Sequence, residues 1–166
     1  MELAPSGNLR SYLEKNSKTM TWKKKVEALL DIIIGLDFLH ERGVVHRDFH
    51  LGNLLVGYEG VIFITDIGQC VSADESSSTD IGVLHYYEKD LILERMNGLQ
   101  PRIPHYVPEQ LTKLIKECWN IDSKKRPTSE KLHRTIKSWN TCNDFDSEFI
   151  EAEKKSQSLD LLEIDF

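Results

Sequence analysis

At 166 residues, with 40% hydrophobic and 29% charged side chains, the chain has the size and balance of one soluble globular domain. Its net charge of −6 is local: residues 1–143 set 19 basic against 19 acidic side chains, while residues 144–166 set Lys154 and Lys155 against eight acids. No basic face stands out, so nucleic acid is not an expected partner. The longest apolar runs, such as Ile32-Ile33-Ile34 and Val61-Ile62-Phe63-Ile64, are too short to span a bilayer, so no membrane is expected either.

Met1 opens a polar stretch with Pro5 and Gly7 that does not read as a signal peptide. Asn8 to Glu14 has room for one or two helical turns. The longest helix is expected from Trp22 to Arg42, where Val26, Leu29, Leu30, Ile33, Leu36 and Phe38 recur at roughly helical spacing. Thr21 suits its start and Gly43 the position past its end. The added Ile32 and Ile34 make it apolar on more than one face, which predicts a buried helix. His40, near its C-terminus, reads as a surface residue favoured by the helix dipole.

After Gly43 the period changes to two. Val44-Val45, Leu54-Leu55-Val56 and Val61-Ile62-Phe63-Ile64 are short β-branched runs, and Gly57-Tyr58-Glu59-Gly60 supplies a turn between the last two. Ser72 to Asp80 is polar and serine-rich, a solvated loop. Helices are expected at about Glu88–Asn97, Glu109–Trp119 and Thr128–Trp139. In the acidic tail, Phe149, Ile150 and Ala152 have the spacing of a peripheral helix, while the charge reads as a solubilising extension. Cys70, Cys118 and Cys142 are odd in number and far apart, which fits a reducing cytoplasmic or nuclear setting better than a disulfide framework.

Chemistry concentrates in the loop before the hairpin of the last two strand runs and just after its second strand. Asp48 and Asn53 stand five apart in His46-Arg47-Asp48-Phe49-His50-Leu51-Gly52-Asn53, and Asp66 follows thirteen later in Thr65-Asp66-Ile67-Gly68. Two carboxylates and an amide in that order suit magnesium-assisted phosphoryl transfer. The bland rival is a metal set from the alternating His46, Asp48 and His50, which lacks a fourth soft ligand.

These segments resemble the protein kinase family. Residues 46–53 are similar to its His-Arg-Asp catalytic loop, and residues 66–68 to its Asp-Phe-Gly loop with Ile67 in place of phenylalanine. Cys118-Trp119 with Arg126-Pro127-Thr128 resembles the late-lobe signature of tyrosine kinases and tyrosine-kinase-like kinases. Met1 to Leu9 resembles the hinge between the two lobes. The resemblance implies an α+β family fold, here mainly α with a small β-hairpin: a truncated carboxy-terminal lobe. It places a partial kinase domain at residues 1–140 and an acidic tail at 141–166. It also implies ATP and Mg²⁺ as cofactors and a protein substrate or partner kinase.

By the same resemblance, Asp48 would orient the accepting hydroxyl, and Asn53 and Asp66 would ligate magnesium through oxygen. Leu55 would floor the adenine ring, and backbone groups of Glu2, Leu3 and Ala4 would meet its edge. His46 and Arg47 would be structural, the first packing beneath Ile67 and the second positioning the activation segment.

Departures from the family pattern bound the activity. No glycine-rich loop, lysine strand or partner glutamate helix precedes the hinge-like segment, although those parts grip the phosphates. About forty residues of the pattern, including Ala-Pro-Glu and the central helix, are skipped near residues 83–87. Arg126 thereby loses its usual glutamate and is expected in solvent. His50 stands where serine/threonine kinases usually carry lysine, and Gly52 stands just before Asn53, so neither substrate-class rule applies. The expected function is a kinase-type chain, inactive or nearly so by itself. The alternative is a non-catalytic, pseudokinase-type interaction or regulatory module.

Overall fold

The computed structural model describes residues 4–74, 102–141 and 147–162, with side chains of the last stretch described to residue 156. The hinge-like positions Glu2 and Leu3, the serine run, the helix expected at 88–97, the junction near 83–87 and Cys142 lie outside the described residues.

A single helix organises the rest. After a short helix α1 (Leu9–Asn16), capped by the Asn8 side chain accepting from Ser11 N–H at 2.9 Å, the chain enters α2 (Trp22–His40). Both ends of α2 follow the sequence signals. Thr21 Oγ1 accepts from Lys24 N–H at 3.3 Å, and Gly43 takes φ +64° while its N–H returns to the His40 carbonyl. Such a left-handed exit strains any residue with a Cβ, so glycine fits there.

Among the described residues, four short strands form two antiparallel pairs. β1 (Val44–Val45) pairs with β4 (Val71–Ser72), and β2 (Leu54–Val56) pairs with β3 (Ile62–Ile64). The second pair is the expected hairpin, turned through Tyr58–Gly60 with Glu59 and Gly60 both at positive φ. Strand alternation sends Leu54, Val56 and Ile62 inward, where they form a small core with Leu9. Leu55 and Phe63, paired across the strands, lie on the opposite face. Asp31 of α2 accepts from Ile62 N–H at 3.1 Å, and a Cβ on Gly35 would come within 2.8 Å of Ile64, so α2 lies close under β3.

The main core is helical. α3 (Glu109–Cys118), α4 (Ser129–Thr141) and α5 (Ser147–Leu162) gather on α2, with Trp22, Val26, Leu111, Leu114, Ile136, Phe149 and Ala152 buried together. At the α2–α4 seam the buried Asp37 accepts from His133 Nδ1 at 3.0 Å and hydrogen-bonds Ser129, whose Oγ also meets His40 Nδ1 at 3.1 Å. His40 keeps an exposed edge at the helix end, but its ring is tied into this seam and burial lowers its pKa, so the expected dipole-favoured surface residue is only half right.

Two expectations need correction. α2 is not buried all round: Ile34 and Phe38, one turn apart, are 45% and 53% exposed. The hairpin and α4 cover the other faces, and no described residue shields this one, although Arg42 stacks over the Phe38 ring. The acidic tail is also more than a solvated extension. Phe149 of α5 is only 1% exposed, edge-on to Trp22 and tilted against Trp139. Glu153 accepts from Trp22 N–H at 2.6 Å and Glu148 from Gln110 N–H at 3.0 Å, so acids of α5 close the first turns of α2 and α3. Arg126 is exposed as expected and donates through Nε to the Asn120 carbonyl at 2.8 Å.

Candidate active site

The loop between β1 and β2 is held by an imidazole. His46 is 2% exposed. Its Nδ1 accepts from Asp48 N–H at 3.3 Å, which leaves the proton on Nε2, donated to the Thr65 carbonyl at 2.9 Å. The ring also meets Phe49 edge-on. His46 therefore packs beneath the peptide that precedes Asp66, rather than beneath Ile67, which is 63% exposed. Arg47, half-buried beside it, carries φ +68°, a left-handed turn in the middle of the loop.

Asn53 ties this loop to the segment carrying Asp66. Its Nδ2 donates to both the Asp48 carbonyl at 3.0 Å and Asp48 Oδ2 at 2.9 Å. Its backbone carbonyl accepts from Thr65 N–H at 2.9 Å and from Thr65 Oγ1 at 3.0 Å. Asp48 and Asn53 are thus in direct contact, and Asp66 is brought to them through its neighbour. Asp66 is exposed in a left-handed conformation at φ +58°. Its negative charge, after burial, helps to raise the Cys70 thiol, which is therefore a poor nucleophile.

The donor chemistry fits a hard divalent ion. Spending Nδ2 on Asp48 leaves the Asn53 amide oxygen as its remaining ligand, and Asp66 offers an exposed carboxylate; magnesium takes such oxygens. Among the described residues no three His, Cys, Asp or Glu side chains are placed to hold a metal, which removes the His46, Asp48 and His50 alternative.

The hinge-like segment runs along the hairpin edge. Asn8 bridges Leu55, Gly7 accepts from Val56 N–H at 2.9 Å, and Ala4 closes the preceding turn to Gly7. Leu55, half-buried, and Phe63, 49% exposed, present the open apolar face of the sheet. A flat ring can lie on such a face.

One pair of residues did not emerge from the sequence as part of the site. His50 Nδ1 accepts from Gly52 N–H at 2.9 Å, and its Nε2 lies 3.4 Å from Asp48 Oδ2. A Cβ at position 52 would fall within 2.9 Å of two ring atoms of His50, so any larger residue there would have to displace the ring. The usable signal was the His-x-Gly spacing, which suits a side chain capping the N–H two residues on.

A polar loop, a paired hairpin and a helical base in this order are compatible with a kinase-like fragment. The profile of the protein tyrosine and serine/threonine kinase family matches residues 1–85, and the chain belongs to that family. The probable serine/threonine-protein kinase pats1 of Dictyostelium discoideum is 30% identical over 183 residues, covering 82% of this chain and 6% of that protein. The serine/threonine/tyrosine-protein kinase HT1 of Arabidopsis thaliana is 24% identical over 182 residues, covering 85% of this chain and 47% of that protein. A further probable serine/threonine-protein kinase of Dictyostelium is 38% identical over 82 residues, with 49% of this chain and 9% of that protein covered. The chain thus spans less than half of these relatives' length. No helix among the described residues is long and apolar enough to cross a membrane.

Proposed function

We propose that residues 1–140 are the hinge and a shortened carboxy-terminal lobe of a protein kinase from the tyrosine-kinase-like branch, followed by the acidic tail at 141–166. In this reading the chain's chemistry is transfer of the ATP γ-phosphoryl group to a protein hydroxyl. The observation that carries it is the Asp48–Asn53 contact at 2.9 Å, with Asn53 also anchoring the residue before Asp66.

Asp48 accepts the hydrogen bond of the incoming hydroxyl and takes up its proton as transfer proceeds. Asn53 and Asp66 would hold magnesium through their side-chain oxygens. Bound with ATP, that ion supplies charge neutralisation at the phosphates. Leu55 floors the adenine, and backbone groups of Glu2 to Ala4 meet its edge. His46 locks the catalytic loop to the Asp66 segment, and Arg47 positions the activation segment. The tyrosine-kinase-like assignment is supported by Cys118-Trp119 and Arg126-Pro127. An internal shortening is supported by alignments of 182 and 183 positions that use only 85% and 82% of this chain.

The 166 residues hold no glycine-rich loop and no lysine strand ahead of the hinge-like segment. Phosphoryl transfer depends on positioning and electrostatics, so without that clamp the chain by itself is inactive or nearly so. A peptide-phosphorylation assay on the purified chain tests this. The expected result is no transfer above that of Asp48→Ala. Robust transfer that Asp48→Ala abolishes would sink the inactivity claim and establish the catalytic role.

A second reading, a non-catalytic interaction module, draws on the exposed apolar side chains Ile34 and Phe38 of α2 and Ile67 next to Asp66. Pull-down with full-length kinases of the same branch separates the two. Mg-ATP binding without partner capture counts against the module.

A further inference from the structure

His50 and Gly52 both depart from the family pattern, and a single local geometry accounts for both. The imidazole lies over the Gly52 backbone in the space a Cβ would fill, with ring atoms 2.7 and 2.9 Å from that position. The Gly52 N–H donates to Nδ1 at 2.9 Å, so Nδ1 is an acceptor and the ring proton resides on Nε2. That nitrogen lies 3.4 Å from Asp48 Oδ2, a few tenths of an ångström beyond hydrogen-bond length. The His50 side chain is 12% exposed, so its ring is held in this pose rather than free in solvent. A turn cap alone needs only a short acceptor such as asparagine or aspartate. The second nitrogen is what reaches the carboxylate.

Resting on the kinase-type reading of Asp48, we propose that His50 is a positioning residue for that carboxylate. Gly52 N–H fixes the ring from one side, which leaves Nε2 3.4 Å from Oδ2 on the other. Asn53 Nδ2 donates to the same oxygen at 2.9 Å. With Oδ2 held by two groups, Oδ1 is left to accept the substrate hydroxyl. His50 and Gly52 then act as a matched pair, in which changing either releases one side of Asp48. The geometry depends on which nitrogen carries the proton and on the space over Gly52, not on a change of charge.

The test is NMR on the full chain labelled with ¹⁵N-histidine and ¹³C-aspartate. In the parent, His50 is expected to show an unprotonated Nδ1 and a protonated Nε2. A ring protonated on Nδ1 overturns the proposal without any variant. His50→Asn keeps a short acceptor for the Gly52 N–H but withdraws the arm toward Asp48. It is expected to shift the Asp48 carboxyl carbon while Asp31 and Asp37 stay in place. Gly52→Ala, which expels the ring, is expected to reproduce that shift. An Asp48 signal unmoved in both variants, with their remaining spectra intact, overturns the proposal.

The kinase-type reading is checked separately by adding Mg-ATP and following the Asn53 and Asp66 signals. If these stay still while Asp48 answers to His50→Asn, the positioning contact stands and the catalytic reading alone falls.

Discussion

Around Phe149, aromatic and aliphatic side chains from α2, α3, α4 and α5 close over one another, and two glutamates cap helix ends at its rim. Around Asp48 the plan is reversed. The loop rests on a thin hairpin with a small inner core, its outer face bears Leu55 and the half-exposed Phe63, and polar contacts do the holding. Stability is therefore concentrated in the helical base, while the site is ordered by a few hydrogen bonds through His46, Asn53 and Thr65. Changes in the base should be felt as loss of folding, and changes in the loop as loss of binding with the fold intact.

The largest expected effect lies in the base. Phe149→Ala removes the ring between Trp22 and Trp139 and should cost about 3–5 kcal/mol in denaturant unfolding. Phe63→Ala, on the open sheet face, should stay within about 0.5 kcal/mol of the parent. Equal losses at the two positions would erase the distinction between the regions.

A smaller effect is expected at the α2–α4 seam. Asp37 is held below its ordinary value of 3.8, first by the hydrogen bond from His133 and then by that from Ser129, against the opposing effect of burial. Burial likewise lowers His40 below 6.5, partly offset by the Asp37 charge. Both groups bind protons more readily in the unfolded chain, so acid favours unfolding. The His40 contribution declines as pH falls below 6.5. That of Asp37 is fully present above 3.8 and is lost as pH falls through its lowered folded value. Asp37→Asn should cost about 1–3 kcal/mol at neutral pH and remove the lower stage from a pH series of thermal melts. A series identical to the parent's would deny the seam its role.

These contrasts also explain what could be read from residues alone. The ends of α2 were legible because Thr21 and Gly43 are local signals, and the hairpin was legible because a glycine-bounded turn separates two β-branched runs. The five-residue interval of Asp48 and Asn53 pointed to one loop, and the two side chains do meet there, with Asn53 also anchoring Thr65. The β1–β4 pairing was not, since two-residue strands twenty-six positions apart leave no periodic trace. The docking of α5 was masked by its acids: among its described side chains only Phe149 and Ala152 are buried, and the glutamates that cap α2 and α3 read as solvating charge. The open face of α2 was misread because apolar residues on two faces do not tell which one is covered. The His50–Gly52 pair depends on a ring lying over a backbone, a contact that spacing suggests only weakly.

The most direct test of the central claim is a calorimetric titration of the intact chain with ATP, with and without magnesium, repeated on Asp66→Asn. The account predicts magnesium-dependent binding that Asp66→Asn abolishes while its thermal melt stays at the parent's. Binding that ignores both magnesium and Asp66, or no binding by a folded parent chain, would contradict it.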